Sequence, residues 1–223
     1  MKLWLSSITL ILFIGAVSSS LGEDDDTIQI WNKFTIPNYE QGKIRFRTVA
    51  QVRGVDLYNR FQRWHFTETV RYQLFDHTAV SLSGSILKPN IPTRESAPLE
   101  YRLVPRIIHQ IPLTEDFTLS ITNRFDFRWF EDQEDMSNRS RFMIGFKYDL
   151  PSDLPLRYFF GSNEIFYDWR AGGINQYRLT PIGMAFELNK HAIFETYYMI
   201  RFVENGSPWD RGHTFGTHLR FKF

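Results

Sequence analysis

The sequence predicts an all-β protein: an up-and-down antiparallel transmembrane β-barrel following an N-terminal signal peptide. Three observations carry that prediction. Beyond the first two dozen residues no long stretch places apolar residues at helical spacing, whereas alternation of apolar and polar residues recurs throughout. Short turns alternate with longer acidic, Gly-rich or Pro-rich links, as in the meander of an outer-membrane barrel. Aromatic residues make up 17% of the chain, yet mean hydropathy is −0.32, so apolar and charged side chains must occupy segregated faces.

The chain opens with "MKLWLSSITLILFIGAVSSSLG": Lys2, an apolar run from about Leu3 to Val17, then small residues. This is the layout of a cleaved secretory signal over residues 1–22, and its apolar run is short for a transmembrane helix. Residues 23–223 then form one barrel domain. The absence of cysteine excludes a disulfide scaffold, thiolate chemistry and a lipoprotein anchor.

Strands are expected in order at 28–36, 43–54, 61–74, 78–87, 99–111, 117–130, 139–150, 156–168, 176–189, 191–203 and 212–223. The first ends at the turn-forming "PNYEQG". The second, "KIRFRTVAQVRG", sets Ile44, Phe46, Thr48, Ala50 and Val52 against Lys43, Arg45, Arg47, Gln51 and Arg53. "FDHT" separates the third from the fourth, and "KPNIPTRESAP" leads to the fifth. After "PLTED" the sixth sets Phe117, Leu119, Ile121, Phe125, Phe127 and Trp129 against Thr118, Ser120, Thr122, Arg124, Asp126 and Arg128. "EDQEDMSN" introduces the seventh, where Phe142, Ile144, Phe146, Tyr148 and Leu150 oppose Arg139, Arg141 and Lys147. The eighth and ninth, bracketed by "PSDLP", "RAGGIN" and "NK", change phase around "GSNEIF" and "TPIGMA". The tenth sets Ala192, Phe194, Thr196, Tyr198, Ile200 and Phe202 against Glu195, Tyr197, Met199 and Arg201. "ENGSPWDR" leads to the last, with Phe215, Thr217, Leu219, Phe221 and Phe223 on one face. Alternation marks eleven segments, but bacterial barrels are even-numbered, so twelve strands are expected, with ten as the alternative.

Period alone does not say which face is inside. Strands of roughly 10–14 residues match the bilayer crossing length of about 9–11 better than the usual soluble strand of about 5–6. Trp31, Trp64, Trp129, Tyr148, Tyr158 and Trp169 fall towards strand ends, as interfacial girdles require. The apolar face is therefore placed in outer-membrane lipid and the arginine face in the lumen. Four polar residues, Glu68, Asn32, Asn123 and His109, fall on the lipid face, and a bulge is expected to re-aim Glu68.

The last strand resembles the assembly signal that barrel-insertion machinery reads in bacterial outer-membrane proteins, with Phe215, Leu219, Phe221 and Phe223 as its apolar positions. The chain after the signal also resembles an uncharacterised barrel family known as domain of unknown function 2490. The shared elements are Trp31, "EYRLVPR" with Glu100 and Arg102, "NRFDFR" with Arg124 and Arg128, and "RSRFMIGFKY". "SNEIFYD" with Asn163 and Glu164, "NQYR" with Arg178, and "ETYYMIRF" come next in order. The resemblance implies an outer-membrane barrel and no settled activity.

Nineteen arginines stand against seven lysines. Arg45, Arg47, Arg53, Arg63, Arg71, Arg102, Arg106, Arg124, Arg128, Arg139, Arg141, Arg178, Arg201 and Arg220 are assigned to the lumen, with Glu100, Asp126, Glu195 and Glu164 as the few acids. An arginine in lipid at the bilayer midplane would cost about 2–4 kcal/mol. Two readings stay open: a positively lined pore for small anionic solutes, which resembles acidic-sugar porins, and a closed scaffold braced by Arg–carboxylate pairs. A barrel-embedded hydrolase is the third. His218 is expected to lie near Glu195 if the hairpin register permits, with Thr214 on the same face and no serine poised beside them. His65 reads as a lumenal polar residue and His77 as a turn residue. "EDQED" (Glu131 to Asp135) is a loop charge run with weak calcium-binding character; no metal or other cofactor is expected, nor nucleic-acid binding.

Overall fold

The computed structural model describes residues 27–55, 60–90, 97–151, 153–204 and 209–222. The expected signal peptide and the terminal Phe223 lie outside them. Eleven strands form one closed sheet: β1 (Thr27–Gln41), β2 (Ile44–Val55), β3 (Arg60–Phe75), β4 (Thr78–Pro89), β5 (Glu100–Pro112), β6 (Phe117–Phe130), β7 (Ser137–Asp149), β8 (Leu156–Asp168), β9 (Gly173–Asn189), β10 (Ala192–Val203) and β11 (Asp210–Phe221). The expected counts of twelve or ten are corrected to eleven. Consecutive strands are antiparallel, so in an odd-numbered ring the first and last run the same way. They meet in a parallel seam, from Thr27 beside Gly212 to Thr35 beside Arg220. No edge remains, and the backbone polar groups of β1 and β11 find partners across the seam.

The expected turn at "PNYEQG" is also corrected. β1 continues to Gln41, and the hairpin closes through Gly42 and Lys43. Gly42 has φ +56°, a left-handed conformation costly for any residue with a Cβ. A bulge between Pro37 and Tyr39 absorbs the extra length. Bulges also explain the phase changes further on: the β8–β9 register shifts at three places, and the β9–β10 register slips opposite Thr180 and Pro181. As a result Thr180 and Gly183 are both buried while Pro181 and Ile182 are exposed.

The side chains are sorted inside-out relative to a globular core. Phe34, Phe46, Phe66, Leu82, Leu103, Phe125, Phe142 and Ile182 are among many large apolar residues exposed on the outer wall. Gln51, Thr69, Ser83, Glu100, Asp126 and His218 are buried. Trp64, Trp129, Tyr148 and Trp169 face outward as expected. Trp31 and Tyr158 do not: Trp31 is 4% exposed and lines the interior, and the Tyr158 hydroxyl donates inward to Glu195. β1 carries Gln29, Trp31, Lys33 and Thr35 on one face, so Trp31 accompanies its polar neighbours inward. Glu68 is not re-aimed, because the bulge lies on β1 instead. It stays outward and accepts from Thr48 Oγ1 at 2.6 Å and from Asn38 Nδ2, which the bulge presents, at 3.4 Å. Asn32 accepts from Thr217 Oγ1 at 2.6 Å and His109 contacts Thr78 Oγ1 at 2.9 Å, so these outward polar groups also have partners.

The parallel seam is testable because the chain has no native cysteine. Phe34 and Leu219 are register partners across it, and neighbouring strands lie about 4.8 Å apart, within disulfide reach. The double variant Phe34→Cys/Leu219→Cys is expected to oxidise to an intramolecular disulfide in the folded protein, visible as a reducible gel shift. Phe34→Cys/Leu179→Cys, with the second cysteine on β9, is expected to stay reduced.

Candidate functional site: the arginine-lined lumen

Period-two alternation turns one face of every strand towards the barrel axis, and most of the arginines lie on it. An interior cavity of about 680 Å³ is lined by Arg47, Arg53, Arg63, Arg102, Arg106, Arg124, Arg128, Arg139, Arg141, Arg178, Arg201 and Arg220, with Lys33, Gln51, His65, Glu195, Tyr197 and His218. Glu100, Asp126 and Glu164 sit behind these guanidiniums, bonded to them. Two residues assigned to the lumen are peripheral. Arg45 is about half exposed and pairs with Glu40 at 2.8 Å, and Arg71 shares a smaller opening with Lys43, Asp76 and Gln110.

On β5 to β9 three interior carboxylates, Glu100, Asp126 and Glu164, each serve several guanidiniums. Glu100 accepts from Arg102 Nε at 2.7 Å and Nη2 at 2.9 Å, the bidentate fork, and from Arg128 Nε at 2.6 Å. Asp126 accepts from Arg124 Nε and, at 3.1 Å, from Arg139 Nη2, with Arg141 at 3.8 Å. Glu164 accepts from Arg141 and has Arg178 Nη1 at 3.5 Å. Arg141 thus links two acids, and the three clusters form a belt across adjacent strands.

Two buried aromatic rings also lie against these guanidiniums. Phe166, with no exposed surface, has the guanidiniums of Arg141, Arg178 and Arg139 at 4.3, 4.4 and 4.9 Å from its ring centre. Trp31 has Arg53 at 3.7 Å, Arg178 at 5.2 Å and Arg201 at 5.6 Å, while its indole N–H donates to Gln29 at 3.0 Å. The negative faces of these rings offset part of the repulsion. Neither ring was assigned this role from sequence, although the inward parity of β1 pointed to Trp31.

The remaining arginines are not neutralised. Among the described residues no carboxylate lies within 4 Å of Arg47, Arg53, Arg63, Arg106 or Arg201. Arg53 bonds to the Gln51 amide oxygen at 2.9 Å, and the buried Nε atoms of Arg63, Arg106 and Arg201 have no hydrogen-bond partner. The braced arginines lie on β5 to β9, and those without a carboxylate partner lie on β2, β3 and β10, with Arg106 on β5.

Near the β1–β11 seam lies a separate cluster. Glu195 and His218 are direct register partners, as the hairpin reading required, and Nδ1 of His218 lies 2.7 Å from Glu195 Oε2. Tyr158 donates to the other carboxylate oxygen at 2.5 Å, where Arg220 Nε lies at 3.3 Å. Nε2 of His218 faces Thr35 Oγ1 across the seam at 2.8 Å. Thr214, the hydroxyl suggested by sequence, is fully buried and its Oγ1 has no partner. His77 sits in the β3–β4 turn. Glu131, in the acidic loop, accepts the Leu99 amide at 3.0 Å, and no group of three or more His, Asp or Glu side chains among the described residues converges as a metal site.

A family model described as "Protein of unknown function (DUF2490)" matches residues 28–212. No curated protein matches the sequence.

The braced wall yields a stability prediction. Asp126→Asn removes the counter-charge of three guanidiniums whose side chains are 16% exposed or less. It is expected to lower unfolding free energy by about 3–5 kcal/mol, as loss of one partner from a buried ion cluster does. Asp149→Asn, which breaks the exposed Lys147–Asp149 pair, is expected to cost less than about 1 kcal/mol. Urea unfolding of the refolded barrel checks both.

Proposed function

The chain belongs to the DUF2490 family, and on that premise we propose that it is an outer-membrane barrel of the bacterial envelope whose lumen admits small anionic solutes. The membrane placement rests on the inside-out sorting: an outer wall of exposed Phe, Leu, Ile, Trp and Tyr, and a charged interior, in a sheet with no open edge. Hydrocarbon tolerates that exterior and demands closure, because it offers backbone groups no partner. Residues 1–22 then act as the export signal, and the apolar face of β11 as the feature met by the insertion machinery.

The observation that carries the anion reading is the unneutralised wall of Arg53, Arg63, Arg106 and Arg201 around the 680 Å³ cavity. Fixed positive charge inside low-dielectric walls focuses a field that concentrates anions. The guanidinium charge suits acceptor oxygens of the kind that carboxylates, sulfate and phosphate supply. The belt of Glu100, Asp126 and Glu164 favours the scaffold reading for β5 to β9 only. Bracing of some arginines and free charge on others assign the two roles to different residues.

In a planar bilayer the purified barrel is expected to conduct weakly and to prefer anions. Arg63→Gln/Arg201→Gln is expected to reduce that preference with little loss of stability. Arg124→Gln/Arg128→Gln is expected to destabilise the barrel first. Reversal potentials under a salt gradient, read beside unfolding curves, test the assignment; a silent or cation-selective wild type would overturn it.

A further inference from the structure

We propose that Thr35, His218 and Glu195 form a nucleophilic site that hydrolyses anionic, amphipathic esters at the short-turn rim of the barrel. The hydrogen-bond roles follow from the atoms present. An ionised Glu195 can only accept, so Nδ1 of His218, 2.7 Å away, carries the ring proton of the neutral imidazole. Nε2 is then the acceptor, and the Thr35 hydroxyl at 2.8 Å must be the donor. That is a hydroxyl aimed at a general base whose other nitrogen is held by a carboxylate, the arrangement that activates weak oxygen nucleophiles. Glu195 is itself held by the Tyr158 hydroxyl at 2.5 Å, so the orienting group has a fixed position.

The surroundings define the substrate class. Thr35 is buried, yet it borders both the lumen cavity and a second opening of about 840 Å³ at the rim. That opening is bordered by Arg45, Arg47 and Arg220 and also by Tyr39, Phe46 and Phe221. The three aromatic side chains are each more than 40% exposed. Arg45 is held by Glu40, which also borders the opening, and Arg220 by Glu195. Arg47, with no carboxylate within 4 Å among the described residues, is therefore the guanidinium that receives a carboxylate or phosphate, and the aromatic surface receives an acyl chain. Arg47 and Arg220 also line the lumen cavity, so positive charge is present where an acyl oxygen would become negative.

The reaction balances without any further reagent but water. Thr35 Oγ bonds to the ester carbonyl carbon as its proton passes to His218 Nε2. The ester C–O bond then breaks, and the alcohol leaves with that proton. Water adds to the acyl-threonine, giving its proton to His218. The carboxylic acid departs, and the proton returns to Thr35 Oγ. Thr35 and His218 are the catalytic residues, and Glu195 positions the imidazole.

The test uses the full folded barrel in detergent micelles, with an alkyl fluorophosphonate as trapping probe and 4-nitrophenyl octanoate as substrate probe. Peptide mass spectrometry is expected to find the phosphonyl adduct on Thr35. His218→Asn is expected to lower both trapping and nitrophenol release by about 10²–10⁴-fold. Thr35→Ser is expected to keep the adduct at position 35, and Thr35→Val to abolish it. Heat-modifiable gel mobility reports whether each variant is folded; where one is not, the adduct map of the wild type decides alone. A wild type that is folded but carries no adduct at Thr35, or a folded Thr35→Val with unchanged turnover, would overturn the proposal and leave the three residues a tie across the seam. Trapping is read in micelles, so its outcome is independent of whether the barrel conducts.

Discussion

Eleven strands leave no open edge only if the first and last lie side by side in the same direction. Every other feature depends on that closure. Each strand gives its hydrogen-bonding groups to two neighbours, so the backbone is satisfied whatever surrounds the barrel. Once the ring is shut, the period of two assigns every side chain to an inner or outer wall. The segregation of aromatic and charged residues then becomes a structural partition, with Phe142 and Ile144 outside and Arg139 and Arg141 inside on the same strand.

Closing charge into a narrow interior creates the second constraint. Guanidiniums outnumber carboxylates there, and like charges in a low-dielectric space repel more strongly than in water. The molecule meets this unevenly. Glu100, Asp126 and Glu164 each gather two or three arginines on the β5–β9 wall, where Arg's planar fork makes the multiple contacts possible. Phe166 adds its ring face to arginines the acids already hold, and Trp31 adds its own to Arg53 and Arg201, which have no carboxylate partner. The rest, on β2, β3, β5 and β10, is charge with no carboxylate partner, and this asymmetry supports an anionic visitor.

The parallel seam has a consequence that no hairpin can produce. It carries Thr35, from the start of the described chain, to the far end at His218, 183 positions away in sequence. The Glu195–His218 contact needs only a hairpin, but the hydroxyl arrives from across the seam. A ring of twelve strands would place a different neighbour there.

The sequence by itself determined the eleven alternating segments, the two faces of most strands and the inward parity of most of the arginines, because alternation is a local property read over a few residues. It also offered Glu195 as a neighbour of His218, since both lie on the polar faces of strands adjacent in the chain, while the hairpin register that sets them opposite came from the structure. The pairing of strands remote in the chain belonged to the tertiary structure, and with it the parity of the ring, for which evenness had been a family habit imposed on eleven visible segments. So did the bulge at Asn38, where one extra residue flips the facing of its successors within a segment read as a turn; the one at Pro181 showed in the sequence only as a phase change whose facing stayed undecided. Trp31 and Tyr158 looked like interfacial aromatics because position along a strand suggests a girdle, while direction depends on parity counted from a neighbour across the sheet. Which arginines are braced and which are free was likewise undecided in one dimension: a guanidinium's partner is chosen by distance through the lumen, and only closure sets that distance.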